Sequence, residues 1–371
     1  MESIRYRNTW AEVNLTNLKH NIKEILKFYN YEKKLYAVVK ANAYGHGDLQ
    51  VAKAALEAGA NAFAVAILDE ALKLREVHPD VPILVLGWTN PKYAIIAAKH
   101  NITLTVFQKQ WITEAIKELN GANLNVHIKI DSGMGRIGIR NEQEAYDVIS
   151  DCMNSPIRVT GIYTHFATAD DADPSYYKYQ LNQFKVMLKN IETILPTPQE
   201  IHIGNSAASM RFPNEMFDAI RFGISMYGLY PSEAVKNESS IKLKPVFSLF
   251  SELIHVKKIS KGDLVSYGGS YEAPEDHWVG TIPIGYGDGW LRKLQNFNVL
   301  INGKRHRIIG RICMDQMMVR LDEPFEIGTK VTLIGRDGDE EITVDEVARY
   351  LGTINYEIPL MISSRVPRLY Q

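Results

Sequence analysis

Cysteine is nearly missing from this chain. Cys152 and Cys313 are the two present, far apart and outside any Cys-x-x-Cys spacing. That excludes a disulfide framework and a structural zinc site, and it points to a reducing compartment, the cytoplasm. No uninterrupted apolar run is long enough to span a membrane. The opening Met-Glu-Ser-Ile-Arg-Tyr-Arg has no apolar stretch of signal-peptide length. Charge of one sign is lacking too: Lys plus Arg total 42 against 43 for Asp plus Glu, so no net field recruits nucleic acid or a membrane surface. Internal repeats and low-complexity linkers are absent. What remains is a 371-residue chain with 46% hydrophobic and 23% charged residues. It exceeds the size at which one core stops growing, so two domains are expected.

Two hydrophobic rhythms alternate over the first two thirds. Short β-branched runs fall at 35–41, 62–67, 83–88, 102–107, 126–131, 160–166, 200–204 and 219–224. Segments of helical spacing lie between them at 50–58, 70–77, 110–119, 142–153 and 177–194, and an extra helix at 15–28 precedes the first run. Strand-then-helix alternation means a parallel sheet. Eight strands favour a closed (β/α)₈ barrel of the TIM type over an open doubly wound sheet. After about residue 240 the runs at 246–256, 278–284, 297–301, 307–312 and 330–334 are separated by Gly- and Asn-containing turns, with one helix at 344–351. The expected organisation is therefore an α/β barrel over 1–240 and a mainly β domain over 241–371.

In such barrels, chemistry sits at the C-terminal ends of the strands, and phosphate often binds after the last two. The strand ends here carry Lys40, then Lys129, Asp131 and Arg136, then His165, then Asn205 and Ser206, then Arg221 and Gly223. Two lysines, two arginines and a histidine converging on one mouth exceed what ordinary strand ends supply. Lys40 closes an apolar strand, where desolvation lowers an amine's pKa and makes it nucleophilic. From position alone, a lysine whose stem packs while its head reaches water is an equal reading.

The residues after Lys40 alter that balance. Ala41-Asn-Ala-Tyr-Gly-His-Gly47 resembles the lysine motif of bacterial alanine racemases. The resemblance continues through Lys129-Ile-Asp-Ser-Gly-Met-Gly-Arg136, Tyr163-Thr-His-Phe-Ala-Thr-Ala-Asp170, Gly204-Asn-Ser-Ala-Ala208 and Arg221-Phe-Gly-Ile224. In the β domain it covers Val265-Ser-Tyr-Gly268, Pro283-Ile-Gly-Tyr-Gly-Asp-Gly289, Gly310-Arg-Ile-Cys-Met-Asp-Gln316 and Ile354-Asn-Tyr-Glu357. The family fold, a pyridoxal-phosphate barrel followed by a β domain, agrees with the architecture read from the runs.

The resemblance implies specific roles. Lys40 holds pyridoxal 5'-phosphate as a Schiff base and acts as the base on one face of the substrate Cα. Tyr267 is the second acid/base on the opposite face, its phenolate stabilised by His165 and nearby positive charge. Arg221 faces the pyridine nitrogen; always protonated, it donates a hydrogen bond but no proton. Ser206, Gly223 and Ile224, after Asn205, hold the phosphate, joined by the Tyr44 and Tyr356 hydroxyls. Arg136 bonds the cofactor's phenolic oxygen and approaches the substrate carboxylate, and Lys129 is expected as a carbamate that orients it. Tyr286, Met314 and Asp315 close the substrate pocket of a partner subunit, so a homodimer with shared sites is implied. The activity implied is interconversion of L- and D-alanine, supplying D-alanine for peptidoglycan. No metal is expected.

Gly133-Met-Gly-Arg-Ile-Gly138 fits the dinucleotide fingerprint, but it follows the fifth strand instead of opening a first βαβ unit. Gly335-Arg-Asp-Gly-Asp-Glu-Glu341 lacks the alternating ligands of a calcium loop and reads as a hairpin turn. His46 and His202 read as structural histidines, and Cys313 as no nucleophile. A pyridoxal-phosphate decarboxylase shares the architecture but meets the ring nitrogen with a carboxylate, where this chain has Arg221. A non-catalytic carrier of the cofactor would lack the β domain. A racemase of serine or another small amino acid stays open.

Overall fold

The computed structural model describes residues 6–195 and 200–371. Residues 1–5, part of the stretch read above for a leader, lie outside them. The chain resolves into two compact units. One is Thr16–Ala43 with Asp48–Pro245; the other comprises the described residues up to Leu15, Tyr44–Gly47 and Val246–Gln371.

In the first unit, eight parallel strands among the described residues close into a barrel: Lys34–Val38, Ala62–Val65, Ile83–Val85, Thr103–Val106, Leu124–Lys129, Ile157–Tyr163, Ile201–Gly204 and Ala219–Phe222. Closure is by the first strand on the last, with Leu35 beside Ile220 and Tyr36 beside Arg221. The strands are near-continuous apolar runs because both faces are covered; Ala62, Phe63, Ala64 and Val65 are all buried. Each expected strand is present; most stop short of the run's last residues, and three begin before the run, at Lys34, Leu124 and Ile157. The helices show the apolar stripe that such packing demands. Leu15–Phe28 buries Leu18, Ile22, Ile25 and Leu26. Glu142–Met153 buries Ala145, Val148, Ile149 and Cys152, and Asn141 caps it by accepting the Glu144 N–H at 2.9 Å.

The second unit is a β sheet of ten strands among the described residues. Its order is His255–Ile259, His277–Ile282, Met317–Leu321, Lys304–Ile309, Asn298–Ile301, Lys330–Asp337, Phe247–Glu252, Thr9–Val13 and Arg368–Tyr370, with Glu340–Ile342 pairing off Lys330–Asp337. Two features depart from the sequence reading. Thr9–Val13, placed with the barrel by a division at 240/241, pairs antiparallel with Phe247–Glu252 and parallel with Arg368–Tyr370. The run at 246–256 is two strands, broken by Leu253 and Ile254, whose backbones bond elsewhere. The segment 335–341 is the hairpin between Lys330–Asp337 and Glu340–Ile342, turning at Gly338 with φ +62°. Helix Val344–Leu351 lies where its spacing put it, capped by the Thr343 hydroxyl and closed by Gly352 at φ +72°.

Gly228 marks a close approach at the end of the barrel unit. It has φ +81°, and a Cβ there would sit 2.0 Å from the Lys244 carbonyl oxygen. We expect Gly228→Ala to lose about 3 kcal/mol, from left-handed strain plus overpacking. A lower urea midpoint at unchanged slope is the expected outcome, and an unchanged midpoint would contradict it.

Candidate active site

The barrel mouth gathers a surplus of positive charge. Lys129 is the last residue of the fifth strand and only 4% exposed; its Nζ lies 4.3 Å from the centroid of the Tyr163 ring. Arg221, equally buried, sits 5.1 Å from the same ring. Burial, then Arg221 and Arg136, push the Lys129 amine well below the ordinary lysine value, against a smaller opposing pull from Asp131. Lys40 is half-buried; desolvation, then Arg136, lower its amine, with Glu70 opposing. His165 is driven down by burial and by Lys129, Arg221, Arg136 and Lys40, so it is neutral at working pH. Arg221 is lowered by burial to about 10 and therefore stays protonated at neutral pH.

Arg221 fixes the protonation of its neighbours because it can only donate. Its Nη1 donates to His202 Nδ1 at 2.8 Å and to the His202 carbonyl at 3.0 Å. Its Nη2 donates to the Thr164 carbonyl at 2.8 Å and to His165 Nδ1 at 3.4 Å. His202 must then carry its proton on Nε2, which lies 2.8 Å from His127 Nδ1. Both histidines are held neutral: desolvation and Arg221 lower His127 to about 3, and His202 moves in the same direction for the same causes. With Glu200 they form a buried cluster whose ligand atoms lie within 4.8 Å of one another. The His127–His202 bond and the Arg221 charge occupy it. His202 is structural, as read, but its partner is Arg221.

After the seventh strand, Asn205 accepts the Ala208 N–H at 2.9 Å and starts Ser206–Arg211. The Ser206 hydroxyl accepts N–H bonds from Gly223 (2.9 Å) and Ser225 (3.4 Å), which leaves its hydrogen to donate. The Gly223 N–H, expected as a phosphate donor, is thus already spent on Ser206. The segment 133–138 is a turn wrapped on Asp131, whose Oδ1 accepts the Gly133 and Gly135 N–H groups at 3.1 and 2.9 Å.

The residues after Lys40 have an uncommon backbone. Ala41, Asn42, Ala43 and Tyr44 have φ of +52°, +52°, +52° and +54°. That is one turn of left-handed helix built from L residues, at roughly 1–2 kcal/mol each.

The β unit carries its own group of expected residues. The Tyr44 and Tyr356 rings lie 6.1 Å apart. Tyr267 follows Ser266 and is 70% exposed. Tyr286 and Gly287 donate their N–H groups to the Cys313 and Met314 carbonyls at 3.1 and 2.8 Å, docking the two loops together. Asp315 accepts from Arg365 Nη2 at 2.7 Å. Asp288, fully buried, receives Arg7 on both oxygens, Arg365 at 3.5 Å and the Gly285 N–H at 3.0 Å.

Sequence reading missed His127, Glu70, Asp288, Arg7 and Arg365. Glu70 alone left a trace, standing three residues after Ile67 where a helix-start glutamate belongs. The long-range arginines leave none.

The donor set fits an anionic aldehyde cofactor. A lysine amine shifted toward neutrality stands beside arginines and a serine hydroxyl with its hydrogen to give, which suits a phosphate-bearing group held covalently. A barrel whose mouth pairs such a lysine with an arginine relay, in a chain that also carries a β unit, is the architecture of a racemase class. Residues 13–231 match the family model described as alanine racemase, N-terminal domain, and 246–370 that of the C-terminal domain. The alanine racemase of Geobacillus kaustophilus is 51% identical over 367 residues, covering 98% of this chain and 95% of that one. Alanine racemase 1 of Bacillus subtilis is 49% identical over 369 residues, covering 98% and 93%. The crystal structure of the Bacillus anthracis alanine racemase with bound L-Ala-P superposes with TM-score 0.97 at 47% identity, covering 100% and 96%. A histidine racemase from Leuconostoc mesenteroides superposes at 0.92 with 33% identity, covering both chains fully. The chain belongs to the alanine racemase family. It is an enzyme of the isomerase class, an amino-acid racemase.

Truncating Asp288 strands Arg7 and frees the Gly285 turn. Removing one partner of a buried ion pair costs about 3–5 kcal/mol. Asp288→Ala should therefore lower the melting temperature in calorimetry by several degrees, and Arg7→Ala, at a half-buried partner, by less. An unaltered melting profile in Asp288→Ala would refute the anchoring role.

Proposed function

We propose that the chain racemises alanine with pyridoxal 5'-phosphate as its cofactor. The convergence of a pKa-lowered Lys40 with Arg136, Arg221 and His165 at one barrel mouth carries this reading. Lys40 would hold the cofactor covalently through its aldehyde carbon. Ser206 and the Ile224 backbone would hold the phosphate, with Gly223 behind Ser206 and with Tyr44 and Tyr356 contributed by the β unit. When bound, the cofactor supplies a conjugated ring that acidifies the substrate Cα–H.

The chain's own groups do the rest. Lys40 takes or returns the Cα proton on one face and Tyr267 on the other; two groups are needed because one cannot serve both faces. A tyrosine's ordinary pKa near 10 makes it a weak base at neutral pH. His165, accepting from Arg221 at Nδ1, keeps Nε2–H to donate to the phenolate. Arg221 would hold the ring nitrogen by donating a hydrogen bond without surrendering a proton, which would restrain side reactions. Arg136 binds the substrate carboxylate. Lys129 reacts with carbon dioxide as the neutral amine: the N–C bond forms, a proton leaves, and the resulting carbamate orients Arg136. The depressed Lys129 amine supplies that neutral form.

Tyr267, Met314 and Tyr286 are solvent-exposed in a single chain. This supports a homodimer in which Tyr286, Met314 and Asp315 of the β domain close the partner's site. No helix among the described residues is long and apolar enough to cross a membrane. Two free cysteines suit the cytoplasm, where the product would be D-alanine for peptidoglycan. The likeness to a histidine racemase favours one second reading, another amino acid in the same site.

Incubating the cofactor-supplemented protein with L-alanine, L-serine and L-histidine and separating enantiomers tests both. D-alanine should dominate and vanish in Lys40→Ala, while Tyr267→Phe should lower kcat by about 10²- to 10⁴-fold. D-histidine or D-serine in excess would move the reading to that substrate. Intact-mass measurement near neutrality should show one added carbon dioxide that acid removes and Lys129→Ala abolishes. An unmodified mass would leave Lys129 a plain amine.

A further inference from the structure

We infer that Glu70 is a positioning residue for Lys40: it clamps the left-handed turn that carries the amine and supplies the negative charge facing it. The Glu70 carboxylate has two jobs. Its Oε2 accepts the Ala66 and Ile67 N–H groups at 2.8 and 3.3 Å, the ordinary task of a glutamate in the first turn of helix Leu68–Val77. Its Oε1 accepts the Ala41 N–H at 2.6 Å, which no helix cap requires. One carboxylate thereby ties the end of the second barrel strand to the first residue of the left-handed turn after the first strand. The same helix secures the turn again. Asn42 Oδ1 accepts the Asp48 N–H at 3.1 Å, and both Asp48 oxygens take Lys73 Nζ at 2.8 Å. Glu70 and Lys73, three residues apart, lie on one helix face.

Left-handed backbone does not persist in alanine and asparagine unless outside bonds hold it. The Ala41 N–H is the first such point, one residue past the amine's own Cα. The charge matters as well as the bond. Lys40 is faced by Arg136 and Arg221, both lowering its amine, while His165 nearby is neutral; Glu70 is the carboxylate that opposes them. Three backbone N–H donors hold its two oxygens in place, so this field is fixed.

The inference rests on the reading of Lys40 as the reactive amine, and its test keeps the two apart. In the full chain stripped of cofactor, the rate of acetylation of Lys40 by an activated ester is followed across pH by peptide mass spectrometry. Glu70→Gln removes the charge, so the amine should deprotonate about one pH unit lower. On the acid limb that reads as roughly tenfold faster acetylation at a given pH. Glu70→Asp keeps the charge and should restore the limb, while amide exchange at Ala41 quickens because the shorter side chain reaches less well. A limb in Glu70→Gln that coincides with the unaltered protein, or one shifted equally in Glu70→Asp, would overturn the assignment. Should Glu70→Gln fold poorly, the Glu70→Asp limb and Ala41 exchange decide: slow exchange at Ala41 in that variant overturns the clamp. Separately, visible absorbance of added pyridoxal phosphate, lost in Lys40→Ala, reads the functional proposal without reference to Glu70.

Discussion

The rest of the site depends on one electrostatic constraint: Arg221 is buried and can only donate hydrogen bonds. A guanidinium removed from water needs acceptors on several sides, and the fold provides them from Thr164, His165, His202 and Ile203. Each acceptor then has its own protonation dictated. His202 and His165 must present bare Nδ1 atoms, and His202 must in turn donate to His127. Burial first, and then the charges of Arg136 and Arg221, lower the Lys129 and Lys40 amines, which lean toward neutrality without any base to deprotonate them.

The same surplus explains why acidic residues here are few and anchored by backbone. Asp131 is wrapped by the Gly133 and Gly135 N–H groups, and Glu70 by those of Ala41, Ala66 and Ile67. A mobile carboxylate would collapse onto the arginines and neutralise them. Backbone-held ones tune the field and leave the cations available for an anion. Where the β unit needs a buried carboxylate outright, at Asp288, it supplies two arginines and a backbone N–H.

Much of this was legible in the chain, for identifiable reasons. Barrel strands covered on both faces are dense in β-branched residues, and strand ends announce themselves where those runs meet Lys40, Lys129, His165 or Arg221. Helices 142–153 and 344–351 were readable because a side-chain cap and an apolar stripe coincide. Thr9–Val13 was not readable: its Trp and Glu alternate with small residues, and it becomes a strand through partners more than 230 positions away. The left-handed turn escaped because alanine has no propensity for it, so only tertiary bonds reveal it. The pairing of His127 with His202, and of Arg7 with Asp288, belongs to topology and leaves no local pattern. The bond from the Gly223 N–H to Ser206 likewise joins residues seventeen positions apart and leaves no local pattern.

The placement of Thr9–Val13 also bears on how the chain is made. It lies between Phe247–Glu252 and Arg368–Tyr370, so this strand has no sheet to join until the barrel residues that follow it have emerged. The barrel unit, drawn from an uninterrupted middle apart from Tyr44–Gly47, can assemble while ribosomes are still translating. The β sheet cannot be completed until Arg368–Tyr370 has emerged. Through that wait Thr9–Val13 is an unpaired edge in search of a partner, exposed to cleavage and to pairing with another nascent copy.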